Sequence, residues 1–372
     1  MSPTAGQSPV PFLLTHCSFR VLIRLVRQNR IELRYLPRLL FIVLTSVLVA
    51  PSNLIERLLY SRRIEATPLH REPIFILGHQ RSGTTMLHEL LAAPKGHGAI
   101  TMAQMTAPHS AVVDRFLPHP IRNLVRPTER PMDNMKLNWE SPQEEGYIIA
   151  KSTIHSAHTF MAFPKRSRDY FKRYVLMEDL SDQDRSEWKK IYKSILKKTQ
   201  FLVGNQTRLV LKDPFNTARI KILLEIYPDA KFVYIHRNPY DVFASKKHLD
   251  QVMYEWNQLQ SVSEEDQEAI VLDFYRQLIE RYLELRELIP RKNLVELAFE
   301  DLERDPLTEL GKIYNSLGLS GFDDAKGVFE EYIEDRSGYE KNPYELSDLE
   351  KKKVDDKWGS LFAPFGYEKL GA

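Results

Sequence analysis

The chain has 372 residues, 43% hydrophobic and 27% charged, which is the balance of a globular protein of one large or two modest domains and excludes a disordered one. A net charge of +2 is too small to imply a nucleic-acid partner. The single cysteine, Cys17, excludes an internal disulfide and fits a reducing, cytoplasmic setting.

Residues 1–70 form a distinct arm. Ser2–Pro11 is small and proline-bearing and is expected to be disordered. From Cys17 the pattern becomes helical: Arg20, Arg24, Arg27, Arg34 and Arg38 recur three, four or seven residues apart and are expected on one helix face. Six arginines against the lone acid Glu32 give the first fifty residues a charge of +5. Leu39–Ala50 is then almost wholly apolar. Its twelve residues fall short of the roughly 20 that a bilayer span needs. A basic helix feeding a short apolar one suits an interfacial membrane anchor, while an ordinary helix packed on the body is the alternative. Leu54, Leu58 and Leu59 are expected to dock the arm onto that body.

Residues 71–372 read as one catalytic domain. Ile74–Leu77 is a short unbroken apolar run, as in a strand covered on both faces. A polar turn from Gly78 to Gly83 follows, and Thr84–Leu91 reads as a helix. Strand, glycine-bearing loop and helix N-terminus make an anion cradle, because backbone N–H groups and the helix dipole both favour negative charge. The spacing Gly78-x-x-x-x-Gly83-Thr84-Thr85 imitates a nucleotide P-loop, but Thr84 stands where that loop has lysine, and the nearest cation is Arg81. The cradle is therefore expected to take phosphate without a Mg²⁺-triphosphate.

Between residues 92 and 210 the signals are weaker. His97, His109 and His119 lack metal-ligand spacing, and Arg126–Pro142 is punctuated by prolines. Glu144 and Glu145 enter the apolar run Tyr147–Ala150. Adjacent carboxylates there are general-base candidates if burial and mutual repulsion raise a pKa. Residues in a helix's first turn, favoured by its dipole, explain them equally well. His155, His158, Phe160, Phe163, Tyr170 and Phe171 would suit an acceptor-pocket wall or ordinary core.

Leu209–Lys212 is the next strand, Thr217–Tyr227 a helix, and Lys231–His236 another buried-type strand. Arg237-Asn238-Pro239-Tyr240-Asp241 then opens a helix, proline suiting its first turn, and Ser245 lies about two turns in. A phosphate over this junction could take a bidentate arginine contact and a serine hydroxyl. In the last third, Ser263 opens a helix running towards Pro290, and Leu294–Phe299 is the final strand. Asp305-Pro306 starts a helix that Gly318 closes, and Trp358–Tyr367 is a tail docked on the core.

Arg81-Ser82-Gly83-Thr84-Thr85 together with Arg237 and Ser245 resembles the sulfotransferases, most closely a bacterial-type branch with a hydrophobic N-terminal segment. The resemblance implies a three-layer P-loop-type α/β fold around a central parallel sheet. It also implies that 3′-phosphoadenosine 5′-phosphosulfate (PAPS) donates a sulfuryl group to an acceptor hydroxyl, with no metal required. On it, Arg81, Ser82, Gly83, Thr84 and Thr85 bind the 5′-phosphosulfate and Arg237 and Ser245 the 3′-phosphate. Lys212 stands near the bridging oxygen, and Phe299 replaces a tyrosine near adenine. Asp213-Pro214 replaces the usual threonine and catalytic histidine, so the base lies elsewhere. Pro142-Gln143-Glu144-Glu145 matches an acidic segment of that branch until Gly146 interrupts it; Glu144 is preferred, with Glu145, His155 and His158 in reserve. The anchor and the aromatic middle favour a hydrophobic or lipid-like acceptor and peripheral membrane association. The rival readings are a nucleotide-dependent kinase or NTPase, with Asp213 holding Mg²⁺, and a nucleotide-binding membrane protein without activity.

Overall fold

The computed structural model describes residues 13–116, 138–336 and 345–370. The expectations for Ser2–Pro11, for His119 and for residues 126–137 lie outside that range. The strands are β1 (Ile74–Leu77), β2 (His97–Gly98), β3 (Arg208–Lys212), β4 (Lys231–His236) and β5 (Leu294–Ala298). They form one parallel sheet in the order β2-β3-β1-β4-β5. The helices that matter for the site are α1 (Phe19–Gln28), α2 (Leu36–Leu48), α3 (Ala50–Glu65), α4 (Thr84–Ala92) and α5 (Glu145–Ser152). After them come α6 (Asp182–Val203), α7 (Pro239–Asn257), α8 (Glu264–Leu285) and α9 (Pro306–Leu317).

The three layers follow from the period-two alternation of strand side chains. Ile74 and Ile76 pack with Leu87 and Leu90 of α4 and Leu310 and Ile313 of α9. Phe75 and Leu77 point the other way, into a cluster with Trp188 and Tyr192 of α6 and Tyr282 of α8. Every residue of β1 is buried, which is why the run carries no polar residue. Chain order around β1 puts β3 on one side and β4 on the other, so the carboxyl ends of these three strands open onto one crevice. Open α/β sheets bind ligands at such a reversal of strand order.

Helix signals in the sequence recur as capping bonds. Ser263 Oγ accepts from Asp266 N at 3.1 Å, Asp305 Oδ1 accepts from Thr308 N at 3.2 Å, and Gly318 ends α9 at φ 64°. One expected helix is different. Thr217–Tyr227 is a short 3₁₀ turn, Pro214–Ala218, followed by Ile220–Ile226. Asp213 Oδ1 accepts from Phe215 N at 3.0 Å and starts that tight turn.

The arm departs from expectation in two places. Its arginine stripe is split between helices, because α1 ends at Gln28, where Asn29 Nδ2 donates to Leu25 O at 2.9 Å and to the Tyr170 hydroxyl at 3.1 Å. Arg38, on α2, donates instead to the Glu255 and Gln258 carbonyls, both at 2.7 Å. Leu13, Leu14, Cys17, Val21, Leu22 and Leu25 sit in one core cluster with Phe160, Phe163, Tyr170 and Phe171. The second departure is that Leu54, Leu58 and Leu59 do not dock; they are 55%, 72% and 64% exposed. The inward groups of α3 are Ile64 and Glu56. Glu56 accepts from Lys198 Nζ at 2.5 Å and Val112 N at 2.7 Å, so its buried carboxylate is satisfied.

Candidate active site

The loop after β1 is shaped by three residues at positive φ: Gly78 at 137°, Arg81 at 72° and Gly83 at 89°. A Cβ on Gly78 would lie 2.3 Å from the Ile235 carbonyl oxygen, and one on Gly83 would lie 2.2 Å from the Phe299 ring. Both glycines are therefore required by close approach as well as by backbone. Arg81 has no such freedom, and a non-glycine residue there stores strain that the surroundings must hold. What holds it is the second motif. Arg81 Nε donates to Ser245 Oγ at 2.8 Å, although the two are 164 residues apart. Arg237 reaches the Arg81 carbonyl at 3.5 Å, stands 4.7 Å above the Phe299 ring, and pairs with Asp241 at 3.3 Å.

The two motifs thus meet in one basic cluster at the loop that leads into α4. The first backbone N–H groups of that helix have no acceptor within it. Arg237 Nε is buried with no hydrogen-bond partner among the described residues. An orphaned guanidinium nitrogen beside a helix N-terminus fits a phosphorylated donor, since burying such a donor group unpaired is costly.

Close to this cluster, where Lys212 pairs in register with Ile76 just before the loop, lies a chain of alternating charges. Lys212, at the end of β3, is buried and its Nζ donates to Glu144 Oε1 at 2.5 Å. Glu144 precedes the first turn of α5, and its Oε2 is 3.5 Å from His158 Nε2. Asp213 pairs with Arg219 at 3.2 Å, and one ligand-type atom each of Glu144, His158 and Asp213 lie within 4.8 Å of one another. A divalent ion in this cluster would have to compete with Lys212 for Glu144 and with Arg219 for Asp213. Burial alone would push Glu144 up, but Lys212 and His158 outweigh it and hold the carboxyl down at about 2.

Glu145 is in a different environment from its neighbour. Its Oε1 accepts from Asn216 Nδ2 at 2.6 Å and from the Tyr192 hydroxyl at 2.9 Å, inside the core. Burial, and then the charge of Asp213, push it up to about 7. Of the histidines held in reserve, His155 faces Tyr174, Asp184 and Glu187, while His158 faces Glu144. Most of the aromatic stretch is core, yet Phe160 and Phe171, with Phe215 and Phe274, line a small cavity beside His79 and Gln80 of the loop.

Sequence reasoning missed Arg219, which is fully buried and donates to the Tyr174 carbonyl at 2.7 and 3.0 Å as well as to Asp213. The signal was available in Asp213-Pro214, a capping residue and proline that open a tight turn with a cation six residues on. It also gave no role to Gly146. A Cβ there would lie 2.1 Å from His158 Cε1 and 2.5 Å from Asp213 Oδ2.

A family model described as the sulfotransferase family matches residues 73–324. Two relatives, the omega-hydroxy-beta-dihydromenaquinone-9 sulfotransferases Stf3 of Mycobacterium bovis and Mycobacterium tuberculosis, are each 32% identical over 95% of this chain and 90% of their own. Among solved structures, sulfotransferase STF1 of Mycobacterium tuberculosis aligns with TM-score 0.62 at 19% identity, covering 90% of both chains. STF9 of Mycobacterium avium aligns with TM-score 0.62 at 17% identity, covering 86% of this chain and 83% of its own. These two likenesses establish the fold.

Proposed function

Since the chain belongs to the sulfotransferase family and is a PAPS-dependent enzyme, we propose that it sulfates the hydroxyl of a hydrophobic, lipid-like molecule, with Glu144 as the base. The observation that carries this reading is the juxtaposition of two groups of residues. Arg81, Ser245 and Arg237 meet in one cluster, and Lys212, in register with Ile76 just before the loop, bonds Glu144. The donor when bound supplies the sulfuryl group. Arg81, Ser82, Gly83, Thr84 and Thr85 hold its 5′ end through the loop and helix dipole. Arg237 and Ser245 hold its 3′-phosphate, and Phe299 offers an aromatic face. Lys212 offsets charge developing on the leaving oxygen.

An acceptor alcohol must lose its proton as it attacks, and Glu144 is the carboxylate beside Lys212. Glu145 is spent on Tyr192 and Asn216 and is a positioning group for α5. A carboxylate held at about 2 is a weak base. Its basicity rises once Lys212 shares its charge with the donor, because that cation is the chief influence opposing burial. The kinase reading loses support here, as Asp213, its expected Mg²⁺ ligand, is already committed to Arg219 and Phe215 N.

The lipid-like acceptor is supported by the 32% identical relatives, which are named for a hydroxylated menaquinone. Peripheral membrane association is supported by the arm. Of eighteen large apolar side chains exposed among the described residues, fourteen lie between Phe19 and Leu59, far more than chance scatter leaves in one segment. Arg20, Arg24, Arg27, Arg30 and Arg34, all exposed, flank them and favour an anionic surface. The helical stretch Leu33–Glu65 is long and apolar enough to cross a membrane. However, Ile42, Ser46, Glu56 and Ile64 are seated on the body, which supports lying in the interface.

The test is transfer of labelled sulfuryl from PAPS to a long-chain terminal alcohol, a short water-soluble alcohol and no acceptor, with ATP-Mg as control donor. Preference for the long-chain alcohol is expected; equal use of both alcohols would sink the lipid-like acceptor, and phosphoryl transfer from ATP would sink the donor assignment.

A further inference from the structure

His158 is fully buried; its Nδ1 has no hydrogen-bond partner among the described residues, and its Nε2 has only a long approach of 3.5 Å to Glu144. An imidazole buried with so little polar compensation is unfavourable unless something is gained from it. The ring is fixed by apolar neighbours, Tyr147 at 4.8 Å and Phe215 at 5.0 Å between centroids. Its polar neighbours are two carboxylates: Glu144, 3.5 Å from Nε2, and Asp213, part of the same 4.8 Å cluster. Room for the ring exists because residue 146 has no side chain, since a Cβ there would overlap both the imidazole and Asp213.

We propose that His158 is a positioning residue behind the base, which takes the acceptor's proton onward from Glu144 and holds it between two carboxylates. This deepens the reading of Glu144 as the base and rests on it. As the acceptor oxygen bonds to sulfur and the bond from sulfur to the bridging oxygen breaks, the hydroxyl proton moves to Glu144. From Glu144 Oε2 it passes to His158 Nε2, and the imidazolium is flanked by Glu144 and Asp213. The electron pair of the broken bond leaves with the nucleotide, and the proton returns to solvent after the sulfated product departs. Glu144 is thus returned to its charged form while Lys212 is engaged elsewhere. The arrangement is a carboxylate with an imidazole behind it, so the group touching substrate is the acid and the histidine acts through it.

The charged and titratable groups around the ring are Glu144 and Tyr147 at the start of α5, Lys212 and Asp213 at the end of β3, and Arg219 behind Asp213. Glu145 reaches Asp213 electrostatically. Burial and Asp213 push Glu145 up to about 7, and the Glu145→Gln variant removes its contribution to a pH profile.

The experiment uses the full chain with PAPS and an alcohol acceptor. Single-turnover rates are measured for wild type, Glu144→Gln, His158→Gln and His158→Asn, with adenosine 3′,5′-bisphosphate affinity and thermal midpoint recorded for each. Both His158 variants are expected to slow the chemical step by about 10²-fold while nucleotide affinity stays within about twofold. The pH profile of kcat is expected to change shape in the His158 variants, also in the Glu145→Gln background, where a merely structural role would leave that shape unaltered. Rates within about threefold of wild type in His158→Gln, with Glu144→Gln inactive, would overturn the relay and leave the base standing. Near-normal turnover in Glu144→Gln would remove the reading on which both depend. Should the His158 variants not fold, the wild-type solvent isotope effect decides: a proton inventory of the single-turnover rate with one proton in flight would overturn the relay, and one with two would support it.

Discussion

The two halves of the site are built on opposite principles. The half proposed to hold the donor joins two local motifs, each a strand end, a turn and a helix start, that the fold brings together across 164 residues. The half proposed to handle the proton is assembled from distant pieces, with Glu144 before α5, His158 in the turn after it, Lys212 ending β3, Asp213 just past it, and Arg219 beyond. In the first half backbone conformation does the work, through Gly78, Arg81 and Gly83 at positive φ. In the second, buried charges offset one another, and a buried pair has value only while every member is present. A substitution in the donor half should therefore lose a ligand contact, and one in the other half should disturb a network.

The largest expected loss is in the network. Glu144→Gln is nearly isosteric and should reduce the single-turnover rate by about 10²–10⁴-fold with nucleotide affinity within about twofold. A variant that loses affinity equally would make Glu144 part of the cradle and dissolve the contrast. In the cradle, Arg237→Ala removes a charge-assisted contact of about 1.5–3 kcal/mol, or roughly 10- to 100-fold in binding. Calorimetry should show this loss for adenosine 3′,5′-bisphosphate and almost none for adenosine 5′-phosphate. Equal losses would mean that Arg237 does not read the 3′-phosphate.

Gly146→Ala probes how tightly the network is packed. Because the new methyl would overlap His158 and Asp213, it should cost about 1–3 kcal/mol of stability. A denaturant midpoint unchanged from wild type would show that the ring moves freely. The pH dependence of stability separates the two adjacent acids. Glu145 keeps its proton up to about 7 in the folded chain and only to about 4.5 unfolded, so its contribution falls as pH rises through that window. Glu144 is depressed to about 2, so its contribution is present above about 4.5 and lost as pH falls below it. Urea midpoints from pH 4.5 to 7.5 should decline less in Glu145→Gln than in wild type; parallel curves would contradict a protonated Glu145. The smallest effect on the fold should come from Leu44→Asp with Leu58→Asp, both at exposed positions of the arm. Stability should change by less than about 0.5 kcal/mol per site, while co-sedimentation with anionic vesicles is lost. Retained binding would remove that face from the membrane reading. Deleting the first fifty residues would be a poorer test, because it strips Leu13, Leu22, Leu25 and Ile42 from the core.

Much of the backbone of the loop after β1 and of the helix starts was legible from the chain alone. Ile74–Leu77 needs no partner to be read as a buried strand, and a cradle or a cap is written within five or six residues of backbone. Asp305-Pro306 and Gly318 marked α9 for the same reason. Tertiary structure alone decided which of two adjacent carboxylates faces Lys212, because Glu144 lies just outside a helix and Glu145 just inside it, one residue apart and turned towards different partners. It decided that Leu58 faces outward and Glu56 inward, since a helix apolar on several sides does not announce which side the body takes. It also brought His158 to Glu144 and Arg219 to Asp213. Local sequence fixes backbone conformation through short-range sterics and hydrogen bonds. The partner of a buried charge is chosen by packing between segments far apart in the chain, and no spacing rule carries that information.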